Sequence, residues 1–149
     1  MELRHLKSGT DVRGTAVNPD NPKKIDLTDE AVKRISAAFV VFLAEKLGKK
    51  EEELVISVGH DSRISAERIK SDVIDALSFF GLEIKDCALA STPAMFMTTK
   101  MLGCDGAVQI TASHHPWDRN GLKFFTPDGG LSGLSLIHIS EPTRPLYIS

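Results

Sequence analysis

The chain has 149 residues, of which 42% are hydrophobic and 26% charged, with a formal net charge of -2. That length supports one domain with a real core, or part of a larger protein, and the near-neutral balance leaves no basic footprint for nucleic acid. The longest apolar run, residues 37–44, is too short to span a bilayer, and the charged start MELRHLKSG lacks the apolar stretch of a secretory signal. Cys87 and Cys104 form neither a CxxC pair nor a metal pattern, so the expectation is a cytoplasmic protein with two buried free thiols.

The first strong element is a helix over residues 28–47. Thr28 can cap it, Asp29 and Glu30 suit its positive first turn, and Gly48 supplies the stop. Val32, Ile35, Phe39, Phe42 and Leu43 form one stripe at helical spacing, widened by Val40 and Val41. LVISV, residues 54–58, reads as a buried strand. After the polar loop GHDSRIS a second helix begins near Ser65, turns Ile69, Val73, Ala76, Leu77 and Phe80 inward, and ends at Gly81. LEIKDCALA is a strand. STPAMFMTTKMLG is a shorter helix with Pro93 in its first turn, and its three methionines read as core filler. GAVQI is a third strand. An Asn-Gly pair at 120–121 reads as a turn before a fourth strand, LKFFT, closed by PDGG.

This alternation predicts an α/β fold: a three-layer α/β/α sandwich on a mixed, mostly parallel sheet of about four strands. Ligands of such sheets bind beyond the carboxyl ends of the strands. The loops GHDSR, STP and TASHHPWDRNG all follow strands, which should bring Ser113, Asp61, Arg63 and Thr92 near one another.

Ser113 is the residue to explain. A serine hydroxyl is a poor nucleophile without a base, the GxSxG elbow of hydrolases is absent, and His114 is its direct neighbour in sequence. A phosphoserine accounts for the surroundings better: it adds about -1.5 to -2 charges, which Arg13, Arg63, Lys123 and the loop's backbone amides could meet. Blander readings stand beside this one. Arg63 could form a structural ion pair with Asp61, Lys123 could be a solvated strand residue, and His114 and His115 could bind zinc with His60, although adjacent histidines lack the usual spacing.

TASHHP resembles the T-A-S-H-N-P active-serine loop of the α-D-phosphohexomutases, the phosphoglucomutase and phosphomannomutase family. TDVRG (10–14) resembles that family's N-terminal arginine motif, GHDSR (59–63) its G-x-D-x-R loop, and NGLK (120–123) its N-G-x-K motif. The resemblance covers residues 1–133 and corresponds to the first of the family's four domains. It implies that Ser113 carries a phosphoryl group to and from a hexose phosphate, interconverting 1-phosphate and 6-phosphate through a bisphosphorylated sugar. Lys123 would then be general acid/base or charge clamp, Arg13 would stabilise the transferring group, and His114 would orient the hydroxyl. Arg63, Asn120 and Thr111 would bind substrate or its phosphate. Mg²⁺ would be held partly by Ser113 through its phosphate, with a hexose 1,6-bisphosphate as activator. His115 departs from the family's asparagine. The D-G-D-x-D-R metal loop is missing, as are the sugar-selecting and distal phosphate loops of domains II to IV, so the fragment alone is expected to be inactive. The competing expectation is a non-catalytic α/β module that binds phosphate or metal. From Leu134 onward the sequence resembles a translated library-preparation adapter, so residues 134–149 are expected to be an artefactual tail.

Overall fold

A computed structural model describes residues 3–8, 11–131 and 136. In chain order the strands are β1 (Lys7–Ser8), β2 (Asp11–Thr15), β3 (Val55–His60), β4 (Glu83–Leu89), β5 (Gly106–Ile110), β6 (Arg119–Thr126) and β7 (Gly129–Leu131). The helices are α1 (Asp29–Leu47), α2 (Ala66–Phe79) and α3 (Thr92–Met101). The end signals of α1 act as the sequence suggests. Thr28 Oγ1 accepts from the Ala31 amide at 3.1 Å, and Gly48 closes the helix in the left-handed region at φ 63°.

The sheet has seven strands rather than four, in the order β1-β2-β6-β5-β3-β4, with β7 added beside β6. Only the β5–β3 and β3–β4 pairings are parallel, whereas β1–β2, β2–β6, β5–β6 and β6–β7 are antiparallel. Two features hid this. β2 is DVRGT, with too little apolar alternation to read as a strand. The Asn120-Gly121 pair, expected as a turn, lies inside β6 opposite Gly14 and Arg13.

Helices cover both faces of the sheet. α1 and α2 lie over Ile56, Val58, Val108, Ile110, Leu122 and Phe124, which join the same core as Val32, Ile35, Phe39, Leu43, Ile69, Val73 and Leu77. Phe39 and Phe124 anchor that layer with ring centroids 4.8 Å apart. The alternate positions face α3, where Ser57 Oγ lies 2.6 Å from Thr98 Oγ1 and Phe125 packs on Phe96 at 5.6 Å. Of the α3 methionines only Met95 is core. Met97 and Met101 are exposed, so the reading of all three as filler fails. Cys104 is buried, but Cys87 on the edge strand β4 is only half-buried, and both are free thiols.

Leu136 is wholly buried in the α1-side core. Otherwise the segment expected to be a tail, 134–149, lies outside the described residues. Among the described residues no helix is long and apolar enough to cross a membrane.

Candidate functional site

The loop that carries Ser113 leaves β5 at its carboxyl end and returns as β6. Asp61, just past the end of β3, fixes the near side. Its amide donates to the Ile110 carbonyl at 3.0 Å, and its Oδ2 accepts from Thr111 Oγ1 at 2.8 Å. Thr111 Oγ1 in turn accepts from the Ser113 amide at 3.0 Å. Arg63 then ties the loop down. Its Nη2 donates to the Ser113 carbonyl and its Nη1 to the Pro116 carbonyl, both at 2.6 Å, while Nε reaches Asp61 Oδ2 at 3.3 Å. A further, longer contact joins Nη1 to the Arg119 carbonyl at 3.3 Å. Arg63 therefore meets the carbonyls of the serine loop and the Asp61 carboxylate. Asn120 lies wholly buried behind the loop, its amide nitrogen on Ser65 Oγ at 2.9 Å and its carbonyl oxygen accepting from the Gly121 amide at 2.8 Å.

So braced, Ser113 adopts φ 54°, a left-handed conformation that costs a non-glycine residue of order 1–3 kcal/mol and recurs at functional sites. Its side chain is exposed. Two of the loop amides expected to meet a phosphate are already used: Ser113 N–H by Thr111, and His115 N–H by the Ala112 carbonyl at 3.0 Å.

On the far side, β2 and β6 assemble a charge cluster. Asp11 Oδ2 accepts from Arg13 Nη2 at 2.8 Å and from Lys123 Nζ at 2.7 Å, with the Asp11 side chain only 7% exposed. Arg13 Nη2 also approaches Ser113 Oγ at 3.4 Å, a weak contact. Arg13 needs Gly121 opposite it, because a β-carbon there would collide with the Val12 carbonyl and come within 2.8 Å of Arg13 Cγ.

His115 completes the cluster. Arg13 Nη1 lies 2.9 Å from its Nε2, and Arg119 Nε lies 3.1 Å from its Nδ1. A neutral imidazole has one acceptor nitrogen, so only one arginine at a time can donate to it. Burial lowers the His115 pKa from its ordinary 6.5, and the charges of Arg13, Arg119 and Arg63 push the same way. His114 is exposed and has no hydrogen bond to the described residues.

The structure thus brings Ser113, Arg13, Lys123, Arg63 and Thr111 together, with Asn120 beneath them, while Thr92 shares no hydrogen bond with any of them. Three further residues belong to the cluster. Asp11 sat inside the TDVRG stretch without being singled out, His115 was weighed only as a zinc ligand and as a departure from the family's asparagine, and Arg119 carried no signal of its own. Among the described residues, no group of three His, Cys, Asp or Glu side chains is placed to hold a metal ion. Asp11 and Asp61 are both engaged by cations.

Comparison with known proteins follows the same geometry. A family model described as phosphoglucomutase/phosphomannomutase, alpha/beta/alpha domain I, matches residues 5–136. A phosphoglucomutase/phosphomannomutase of Thermococcus kodakarensis is 38% identical over 104 residues, covering 70% of this chain and 22% of that protein. A phosphoglucosamine mutase of Listeria welshimeri is 37% identical over 122 residues, covering 81% of this chain and 25% of that protein. The chain therefore spans about a quarter or less of these relatives. In fold it matches the crystal structure of a putative phosphomannomutase from Thermus thermophilus, with a TM-score of 0.72 at 24% identity, covering 94% of this chain and 30% of that one.

Proposed function

Because this chain belongs to the phosphoglucomutase/phosphomannomutase family, as its α/β/α domain I, we propose that Ser113 is the phosphoryl-carrying serine of a hexose-phosphate mutase. The hydroxyl oxygen attacks a phosphorus of a hexose 1,6-bisphosphate, the P–O bond to the sugar breaks, and the serine proton passes to the departing sugar oxygen. Phosphoserine then gives its phosphoryl group to the free hydroxyl of a hexose phosphate that carries its phosphate at the other position. The hydroxyl proton leaves as the new P–O bond forms, and the bisphosphate is regenerated, so that sugar entering as 1-phosphate leaves as 6-phosphate. Lys123 serves as general acid/base or charge clamp in these steps, Arg13 stabilises the transferring group, and exposed His114 is free to orient the hydroxyl.

Charge supports this reading. The side chains bound to the loop and its cluster are Arg13, Arg63, Arg119 and Lys123 against Asp11 and Asp61. The surplus is two positive charges, the complement of a phosphoserine at about -1.5 to -2. Phosphoryl transfer depends mainly on positioning and electrostatics, which this cluster offers. The observation that carries the proposal is the exposed Ser113 hydroxyl, held in a left-handed turn beside Arg13. Arg63 and Thr111 contribute by fixing the loop, and Asn120 by joining β6 to the start of α2.

The magnesium ion implied by the resemblance does not find a complete ligand set among the described side chains. This chain would offer it only phosphate oxygens on Ser113, so no step above is routed through it. The remaining ligands, like the sugar-selecting loops, would come from further domains of a longer protein.

The test is intact mass and phosphopeptide mapping after incubation with a hexose 1,6-bisphosphate, with Ser113→Ala as control. Phosphate should appear on the peptide containing Ser113 and be absent from the variant. Phosphate on another residue would overturn the assignment. The 149-residue chain alone should show no steady interconversion of hexose phosphates, because the reacting groups of the other domains are not held in place.

A further inference from the structure

Two large apolar side chains flank the serine loop in water. Trp117 is 60% exposed and Ile64 is 76% exposed, although each stands beside residues fixed by Arg63. With Asp61, Ser62, Arg63 and Ser113 they line one open cavity of about 520 Å³, a volume within the range of small-molecule sites. Neither side chain is needed to hold the loop, which the Arg63 bonds to the Ser113 and Pro116 carbonyls already do.

The lining is amphipathic: an indole and an aliphatic branch, then the Asp61 carboxylate with the Arg63 guanidinium it pairs with, a serine hydroxyl and the Ser113 side chain. An inorganic anion gains nothing from the indole, and a purely apolar ligand would strip water from Asp61 and Ser62 without replacing it. A pyranose ring satisfies both sides. Its C–H face is apolar enough to lie on an aromatic ring, while its rim of hydroxyls can donate to a carboxylate and exchange hydrogen bonds with a serine. The indole is also a rigid surface that loses little rotamer freedom on binding.

We propose that Trp117, supported by Ile64, is the platform on which the sugar ring of a hexose phosphate rests when its phosphate engages the Ser113 loop. This rests on the reading of Ser113 as the phosphoryl-carrying residue. Sugar selection would then begin in this domain, at a loop position next to Pro116 that the reaction chemistry does not constrain.

Trp117 is the sole tryptophan of the chain, so its emission reports on the site directly. The intact chain is titrated with glucose 6-phosphate and glucose 1,6-bisphosphate, with inorganic phosphate and glucose as controls at constant ionic strength. Saturation-transfer NMR on the ligand C–H protons measures binding independently. Both sugar phosphates should change the emission saturably and shield the indole from acrylamide, and inorganic phosphate should do neither. Trp117→Ala should weaken sugar-phosphate binding about fivefold, and Trp117→Phe should stay within about twofold. Ile64→Ser gives a second, smaller loss, and melts of all three variants should match the parent.

Sugar-phosphate binding or Ser113 phosphorylation with unchanged emission would overturn the platform and leave the Ser113 reading standing. An equal response to inorganic phosphate would overturn it too, as would unaltered affinity in Trp117→Ala. No binding of either sugar phosphate together with no phosphorylation of Ser113 would overturn both readings.

Discussion

The two sides of the serine loop are built on opposite plans. On the near side, Asp61, Arg63, Thr111 and Asn120 direct most of their polar contacts to backbone groups or to one another, and each contact fixes the path of the chain. On the far side, Asp11, Arg13, Lys123, His115 and Arg119 bond side chain to side chain, and the bonds are over-subscribed. Two cations share one carboxylate oxygen, and two guanidinium groups compete for one imidazole. A near-side contact that is lost leaves backbone without its partner. A far-side cation that lets go leaves another to take its place. The contrast separates what holds the hydroxyl from what can be lent to an incoming phosphate.

Substitutions can break this division, starting with the largest expected cost. Asn120→Ala should destabilise the fold by about 2–3 kcal/mol, because a buried Ser65 hydroxyl and the Gly121 N–H both lose their partner. Arg63→Ala should cost about 2 kcal/mol and loosen the loop, visible as faster amide exchange at Ser113 and His115. Arg63→Lys should fail to restore it, since one ammonium cannot span three carbonyls and a carboxylate. Denaturant melts measure both. Arg13→Ala should cost less than about 1 kcal/mol, because Lys123 keeps Asp11 paired, yet should slow phosphorylation of Ser113 by more than about tenfold. Equal losses of folding and phosphorylation would place Arg13 with the near side.

The smallest effect is a pH dependence. The lowered pKa of His115 means the unfolded chain takes up its proton first, so this contribution is present above pH 6.5 and is lost as pH falls below that value. His115→Asn should remove it, a change of a few tenths of a kcal/mol in paired melts at pH 5.5 and 7.5. Asp72 works in the opposite sense and away from the site. Burial raises its pKa from 3.8 to about 7, and the neighbouring Asp29 carboxylate adds to the rise. Stability from Asp72 is therefore present at low pH and lost as pH rises from about 4 through about 7. Asp72→Asn should stabilise the chain above pH 7 by less than about 1 kcal/mol, and it gives the background in which the His115 effect is cleanest.

How far the sequence can be read follows from the range of each interaction. α1 was legible to its caps because every signal lies within one turn of its end. β3 and β5 were legible as apolar runs bounded by polar loops. β2 was not, since DVRGT becomes a strand only through its register with residues 119–122. The serine loop and its arginines were visible as motifs, and the convergence of Asp61, Arg63 and Ser113 followed from the strand-end rule. The division of labour between Arg13 and Arg63 was not visible. Both are arginines in motif stretches, and only the carbonyls around one and the carboxylate and imidazole beside the other tell them apart. Asp11 escaped notice because its partner Lys123 lies 112 residues away.

That separation has a kinetic meaning. The Asp11–Lys123 pair closes a loop of nearly the whole domain, and the entropy of closing it must be met before the pair gives anything back. Contacts of such high order form late, after α1, α2 and the parallel strands have a surface on which β2 and β6 can meet. On a ribosome, β2 could meet β1 at once but would wait for β6 until residue 126 had emerged from the exit tunnel. Until then Arg13 would have Asp11 beside it on the same strand but no Lys123 to share that carboxylate, and the serine loop would not yet be closed. Binding at this cluster is therefore a sensor of completed topology: a chain halted before β6 could hold native helices and still be unable to gather these charges.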